Sequence, residues 1–591
     1  MSDSAIGNTF DDKEELAPTK YRTLRIWPPS LLLGSMLAAK IIPRIIENGP
    51  PQLWMLPVFG PLLCGTVVMI WWLVGSRATW RERLFGFLGV IASLMLTLFL
   101  VDKSMQGPAV MVLTIPMGIV GFAVGAIVYC RLLSFKRTLV ALMLAFAGFG
   151  FSTLLRSDGM WGDFALGLHW RWQLSPEQRM MAVRDEHIGI KIEELSTESI
   201  DLGLANPEWP EFRGADRTGR QRGQKFATDW SNNPPEQIWK IQVGPAWSSF
   251  VVAGDLLFTQ EQRGPYETVV CYESNTGREV WARQVEVRFD DPLGGPGPRA
   301  TPTLAAGGLY VSGAAGDLLR LEPKTGEIVW SQDLAQVAQR SPPMWGFSSS
   351  PLVVGSVVIA YAGGPDDKGI LGFDTVTGEL KWSTAAGKDS YCSPQLCEIA
   401  GEQFVVMVTN TGMNLLDPET GSERLDYKWP HNGYRALQPQ VISGDSVLLA
   451  TGMGTGTRCV RIVKSDGELS TEATWTTNNF KPDFNDFVLY QDYIYGFDAA
   501  IFTCLNAKNG ERQWKGGRYG KGQVVLLEDS GLLLIASEKG EVVLLNADPT
   551  EHVELGKFQA LDGKTWNHPV VVGDRLYIRN AAEAACYRLP L

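Results

Sequence analysis

The stretch LEPKTGEIVW, from Leu321 to Trp330, recurs in outline as YESNTGREVW from Tyr272, FDTVTGELKW from Phe373, LDPETGSERL from Leu416 and LNAKNGERQW from Leu505. Each copy reads as an apolar strand, an acidic or amide residue, a Thr-Gly-like turn and a further strand. Aligned on the strand before each Gly-Asp-like turn, the region contains eight units, starting near Ser248, Ala300, Ser349, Cys392, Leu437, Asn485, Gly522 and Asn567. Their spacing of about 40–50 residues is the period of a propeller blade. A full unit supplies three strands, the turn, and an outer strand bearing Trp281, Trp330, Trp382, Trp475 or Trp514. The unit that runs to Leu591 has no outer strand, whereas EQIWKIQVG (Glu236–Gly244), with Trp239, is an outer strand with no blade before it. Joining the two closes a ring and hides a sheet edge. The expected fold is an all-β propeller of eight blades whose last blade is completed by the early strand.

The repeated tryptophans are expected to pack each outer strand on the neighbouring blade, with the indole N–H reaching a backbone carbonyl. The turn glycine supplies a positive φ. Cys271, Cys504 and Cys586 fall at one place in their repeats and read as small core residues. C-x-x-C is absent, C-x-x-C-H is absent, and the five histidines stand singly, so no metal or haem motif is legible.

The first part of the chain is written differently. Leu53–Val74, Leu84–Val101, Ala109–Cys130 and Leu139–Leu155 are apolar runs of bilayer length. A fifth, Pro28–Ile46, carries Lys40 and Arg44 and reads either as a span or as an interfacial helix. Arg77, Arg81 and Arg83 lie in one connection and Arg131, Lys136 and Arg137 in another, with only Lys103 between. The positive-inside rule puts those basic loops in the cytoplasm and the C-terminal half outside. Counting the first run also places Lys13, Lys20, Arg22 and Arg25 inside, so five spans are expected. No acidic residue interrupts a confident span and no paired broken helices occur, so the helices read as an anchor and not as a transporter. A net charge of −11 leaves no basic surface for phosphates, which argues against a nucleic-acid partner.

The repeat resembles that of the pyrroloquinoline quinone (PQQ)-like β-propellers over about residues 209–591. The resemblance implies the fold, but the family divides in function. Its quinoprotein dehydrogenases hold PQQ and calcium in the ring centre, and its BamB-type members are assembly scaffolds without a cofactor. EWPEFRGADRTGR (Glu208–Arg220) is similar to the WP-x-[YF]-x-R opening of the dehydrogenases, and the anchor resembles that of membrane-bound quinoprotein glucose dehydrogenase. The alcohol-oxidising members carry an adjacent cysteine pair, and no two cysteines are adjacent here.

In a propeller the innermost strands line the channel, and their first residues form its mouth. Those positions are Ser249, Thr301, Ser350, Ser393, Gln438, Asp486, Gln523 and His568, all polar. Two positions earlier stand Trp247, Arg299, Ser348, Tyr391, Ala436, Phe484, Lys521 and Trp566, with Trp345 nearby. One reading is a ligand pocket in which Arg299 or Lys521 holds a carboxylate or quinone oxygen and Trp247 or Trp566 stacks on a flat ring. The other is a belt of hydrogen bonds tying neighbouring blades. Under the dehydrogenase alternative, Asp486 or His568 would act as base, and Asn485, Asp486 and Asn567 would offer oxygen to calcium.

The expected organisation is a cytoplasmic tail (1–27), a transmembrane anchor (28–155), a linker with a short helix (156–208) and the propeller (209–591). The expected role is a multi-pass inner-membrane protein whose periplasmic propeller binds a partner protein or small ligand without catalysis. The alternative is a PQQ- and calcium-dependent sugar or alcohol dehydrogenase feeding membrane quinone.

Overall fold

A computed structural model describes residues 23–46, 53, 55–187 and 201–591. The chain divides into two compact units, Met1–Asp158 with Leu166–Gln173, and Gly159–Ala165 with Leu174–Leu591. Most of the expected cytoplasmic tail, residues 1–22, lies outside the described residues, as does 188–200 of the expected linker.

The first unit is helical: α1 (Trp27–Ile45), α2 (Leu56–Ile70), α3 (Trp80–Leu100), α4 (Ile115–Val128) and α5 (Ser134–Phe151). Among the described residues, four stretches, extended by their flanking turns, are long and apolar enough to cross a bilayer: Leu56–Gly75, Trp80–Leu100, Val110–Val128 and Phe135–Leu154. Of the five expected spans, four meet this criterion. The fifth run is helical, as α1, but Lys40, Pro43 and Arg44 dilute its hydropathy. Small residues let α4 and α5 touch through their backbones. A Cβ on Gly121 would fall 2.2 Å from Leu144 O, one on Gly125 2.6 Å from Ala141 Cα, and one on Gly148 2.4 Å from Met117 O.

At the start of α3 a capping box forms: Glu82 N–H donates to Thr79 Oγ1 (3.4 Å) and Thr79 N–H to Glu82 Oε2 (3.2 Å). The same buried carboxylate accepts from Arg137 Nε (2.6 Å) and Nη2 (2.9 Å) and from Thr138 Oγ1 (2.9 Å). One arginine of the basic loops is therefore spent inside the bundle, while Arg77, Arg81, Arg131 and Lys136 stay exposed.

The second unit contains the expected ring: eight four-stranded blades, each antiparallel. Blade 1 runs through Val251–Ala253, Leu256–Arg263, Tyr266–Glu273 and Glu279–Val285. Blade 8 combines Val570–Val572, Arg575–Arg579 and Glu583–Arg588 with the early strand Glu236–Gln242, Trp239 standing opposite Cys586. Blade 7 gains a fifth strand, Arg220–Gln221, parallel to Gln523–Leu527.

Neighbouring blades dock through the outer-strand tryptophans. Indole N–H groups of Trp239, Trp281, Trp330, Trp475 and Trp514 donate to Ser274 O (2.9 Å), Pro323 O (3.0 Å), Thr375 O (3.1 Å), Ala507 O (3.1 Å) and Asp548 O (2.8 Å). Each acceptor lies in the turn of the next blade. The ring face lies on that turn's glycine where there is one: a Cβ on Gly378 (φ 74°) would meet Trp330 at 2.7 Å, and one on Gly421 would meet Trp382 at 2.2 Å. Trp382 Nε1 is buried with no hydrogen-bond partner among the described residues. The linker is partly absorbed into this unit, with the helix α6 (Pro176–His187) held where Glu177 Oε1 accepts from Gly264 N–H (2.6 Å) and Arg288 Nη1 (2.9 Å).

Candidate functional site

The eight inner-strand residues form a belt around the ring axis. The backbone N–H of Ser249 donates to Thr301 Oγ1 (3.0 Å), that of Thr301 to Ser350 Oγ (2.9 Å), and that of Ser350 to Ser393 Oγ (2.9 Å). The chain continues from Ser393 to Gln438 Oε1 (2.9 Å), from Gln438 to Asp486 Oδ1 (3.0 Å) and from Asp486 to Gln523 Oε1 (3.1 Å). Gln523 Nε2 reaches Trp566 O (3.2 Å) in blade 8, and Ser249 Oγ closes the circle on His568 O (2.6 Å). All eight are buried. Their polarity therefore serves blade-to-blade bonding: Thr301, Ser350, Ser393, Gln438, Asp486 and Gln523 each accept from a buried N–H of the preceding blade, and Ser249 donates to a carbonyl of blade 8.

The channel is occupied by the chain itself. Trp209 pairs with Val252 of blade 1, Pro210 O accepts from Leu304 N–H of blade 2 (2.8 Å), and Arg220–Gln221 joins blade 7. Between these points Arg213 and Arg217 project into the ring, 0% and 1% exposed. Arg217 donates to Pro394 O (2.6 Å), Pro351 O (2.6 Å) and Ser350 O (3.4 Å), and to Glu211 Oε2 through Nη2 (2.5 Å) and Nε (2.8 Å). Arg213 donates to Phe487 O (2.6 Å), Arg217 O (3.2 Å) and Thr218 O (3.1 Å), faces Asp486 Oδ1 at 3.5 Å, and points Nε at His568 Nε2 (3.4 Å). Two guanidiniums thus bond carbonyls of blades 3, 4 and 6.

This geometry decides what the two candidate bases can do. Burial pushes the Asp486 carboxyl up, and Arg213 pulls it back. One of its oxygens already accepts from Gln438 N–H and faces Arg213. His568 Nδ1 donates to Pro569 O (2.9 Å), and burial with the Arg213 charge pushes the imidazole down to about 3, so it is neutral.

The calcium and quinone alternative can be tested on the same residues. Asn485 Oδ1 accepts from Asp483 N–H (3.0 Å), while Asn567 donates through Nδ2 to Ala246 O (3.1 Å) and Ser248 O (2.7 Å). Of the expected oxygen donors, Asn567 Oδ1 alone is buried with no partner among the described residues, and one amide oxygen is no cage for a divalent cation. The ring centre, where the family resemblance would put a flat cofactor, is filled by Arg213 and Arg217. The residues present do not fit PQQ with calcium.

The positions two residues before the belt form an aromatic mouth. Trp247 and Trp566 lie 4.8 Å apart between ring centroids, with Phe484 edge-on to Trp566 at 5.0 Å and Lys564 Nζ 4.3 Å over Trp566. Across the mouth Trp345, Tyr391 and Tyr434 make a triad with centroids 4.5–5.4 Å apart. Asp483 links the groups, accepting from Tyr434 Oη (3.0 Å) and Lys521 Nζ (3.0 Å). Arg299 is spent locally on Asp291, Gly297 O, Gly295 O (2.9 Å) and the Phe289 ring (4.7 Å), and Ser348 Oγ bonds Trp345 O (2.7 Å). Residues 159–165 lie over one side: Glu538 accepts from Gly162 N–H (2.6 Å) and Trp566 Nε1 (2.9 Å), and Lys564 Nζ donates to Met160 O (3.1 Å). Sequence reasoning missed Arg213, Arg217, Tyr434, Asp483, Glu538 and Lys564. Only the first two carried a signal, the arginines of FRGADRTGR.

Comparison with known proteins agrees with the repeat. The family described as "Outer membrane protein assembly factor BamB" matches residues 230–339 and 267–516. The propeller of this chain belongs to the PQQ-like β-propeller repeat family. Similar solved structures include BamB from Moraxella catarrhalis (15% identity, 60% of this chain and 100% of that one, TM-score 0.44). Quinohemoprotein alcohol dehydrogenase from Comamonas testosteroni is another (12% identity, 70% and 84%, TM-score 0.48). A third is quinohemoprotein alcohol dehydrogenase ADHIIG from Pseudomonas putida HK5 (14% identity, 67% and 82%, TM-score 0.48). Comparison with curated proteins gave no match.

Proposed function

We propose that the protein is a membrane-anchored, non-catalytic binding or scaffold module, its propeller facing the periplasm from the inner membrane. The observation that carries this reading is the filled ring centre. Arg213 and Arg217 take the place where a cofactor would lie, and Asp486 and His568 are turned to structural bonding. A binding function then falls to the aromatic mouth, where Trp345, Tyr391, Tyr434 and Phe484 are half-buried and present ring faces and edges to a small ligand or a partner's side chains. The orientation is supported by exposed Arg77, Arg81, Arg131 and Lys136 on alternate connections, and it holds whether or not α1 spans.

The test is reconstitution of the purified full chain with PQQ and calcium. The expected result is no bound-quinone spectrum and no sugar- or alcohol-dependent dye reduction. Stoichiometric binding with turnover abolished by Asp486→Asn would overturn the reading in favour of a dehydrogenase.

A further inference from the structure

The stretch HWRW, His169–Trp172, has no part in the belt, the plug or the mouth. It follows the last span-length helix, at the end of a hairpin of Leu155–Met160 and Leu166–Trp170. Trp170 and Trp172 stack on each other, centroids 5.0 Å apart and planes 9° from parallel. They are nevertheless 40% and 67% exposed, and Phe151, near the end of the last span, sets its edge to Trp170 at 6.2 Å. Leu154 and Leu168 are exposed beside them.

Arg171, between the two indoles, is directed at helix ends. Its backbone N–H donates to Leu154 O (2.8 Å), and its Nη1 donates to Leu100 O (3.1 Å) and Thr153 O (3.5 Å), with Asp102 at 3.9 Å. These carbonyls lie where two spans end on one side of the membrane, and a helix end leaves its last carbonyls in need of donors. Charge around the pair is balanced: His169 Nε2 meets Asp158 Oδ2 at 2.7 Å and Arg156 Nη1 meets Asp158 Oδ1 at 3.2 Å. An apolar, uncharged, exposed indole pair fixed at the level of the span ends matches the boundary between headgroups and acyl chains, where tryptophan's apolar body and polar N–H are both satisfied.

We propose that His169–Trp172 is an interfacial anchor whose Trp170–Trp172 pair is seated in the headgroup layer of the bilayer that holds the spans. The proposal rests on reading the four apolar helices as membrane spans. The occupant is lipid, because the patch is continuous with the lipid-facing ends of α3 and α5.

The experiment uses the full chain in vesicles of phosphatidylcholine mixed with phosphatidylglycerol. The phosphatidylcholine is brominated either near the top of the acyl chain or near its methyl end. The chain has 20 tryptophans, so emission of Trp172→Phe is subtracted from that of the unaltered protein, and the subtraction is repeated with Trp170→Phe. The difference signal should be quenched about twofold or more strongly by the shallow bromine than by the deep one, as expected for an indole at the interface. Quenching by neither lipid, which a protein partner or free solvent around the pair would give, overturns the proposal, and so does stronger quenching by the deep bromine. An alkaline carbonate wash separates the two readings. Protein stripped from the vesicles defeats the span assignment and the anchor together, whereas retained protein without shallow quenching defeats the anchor alone.

Discussion

At the scale of single residues the centre of the ring depends on charges that are fully enclosed. Arg217 and Glu211 form an ion pair whose arginine also bonds three carbonyls of two blades, so removing one partner strands the other. Arg217→Met should lower stability by about 3–5 kcal/mol, and Glu211→Gln added to it should restore part of the loss; thermal unfolding followed by tryptophan emission measures both. Glu267 is a second enclosed charge. Its Oε2 accepts from Ala314 N–H (3.0 Å), its Oε1 is buried with no partner among the described residues, and burial pushes it up to about 7. From its ordinary 4.5 up to about 7 the folded chain keeps a proton that the unfolded chain releases. The stability from this group is complete below that window and is lost as pH rises through it. Glu267→Gln should flatten that part of the stability–pH curve, and an unchanged slope would count against it. Little of this was legible beforehand. The belt positions from Ser249 to His568 were readable as polar strand starts. That they tie neighbouring blades was one of two readings; the particular N–H each accepts from was not legible, because that donor lies one blade away and only the rotation between blades brings it within reach. Arg213 and Arg217 sit in a non-repeating segment, where no period announces a partner.

At the scale of elements the repeat itself carries the docking rule, which is why strands, turns and tryptophans were legible. The rule predicts a difference between two alike positions. Trp330→Phe removes the indole donor to Thr375 O, leaving it only the longer bond from Tyr310 Oη (3.3 Å), whereas Trp382→Phe removes an N–H that bonds nothing among the described residues. The first should cost about 1 kcal/mol more than the second, the net worth of a buried hydrogen bond. Equal losses would show that the indole bond contributes nothing. Among the helices, Gly125→Leu would drive a side chain into the Ala141 backbone, already 2.6 Å from a Cβ there. It should separate α4 from α5 and lower the melting temperature in detergent, while a change on the open face at Gly150 should be tolerated. Helix existence was plain from hydropathy. The first run was the weakest, because its 19-residue helix with Lys40 and Arg44 meets the length rule but not the composition.

At the scale of the whole molecule, ring closure was inferred from a mismatch between an orphan strand and an incomplete blade, and the pairing of Glu236–Gln242 with Glu583–Arg588 supplies it. Trp239→Ala should cost about 3–5 kcal/mol, in the range for a buried large aromatic. Limited proteolysis should then cut first within 230–244 or blade 8, because both strands of the seam are released together; cutting elsewhere would argue against a shared seam. The seam also orders events in time. Ribosomes deliver residues 236–242 long before their partner 583–588, and until that partner emerges the ring's clasp has nothing to fasten to. Until then the chain carries an open β-edge, and the ring closes through a long-range contact. On the proposed periplasmic placement, its dependence on holding factors should therefore exceed that of a propeller closed by adjacent strands.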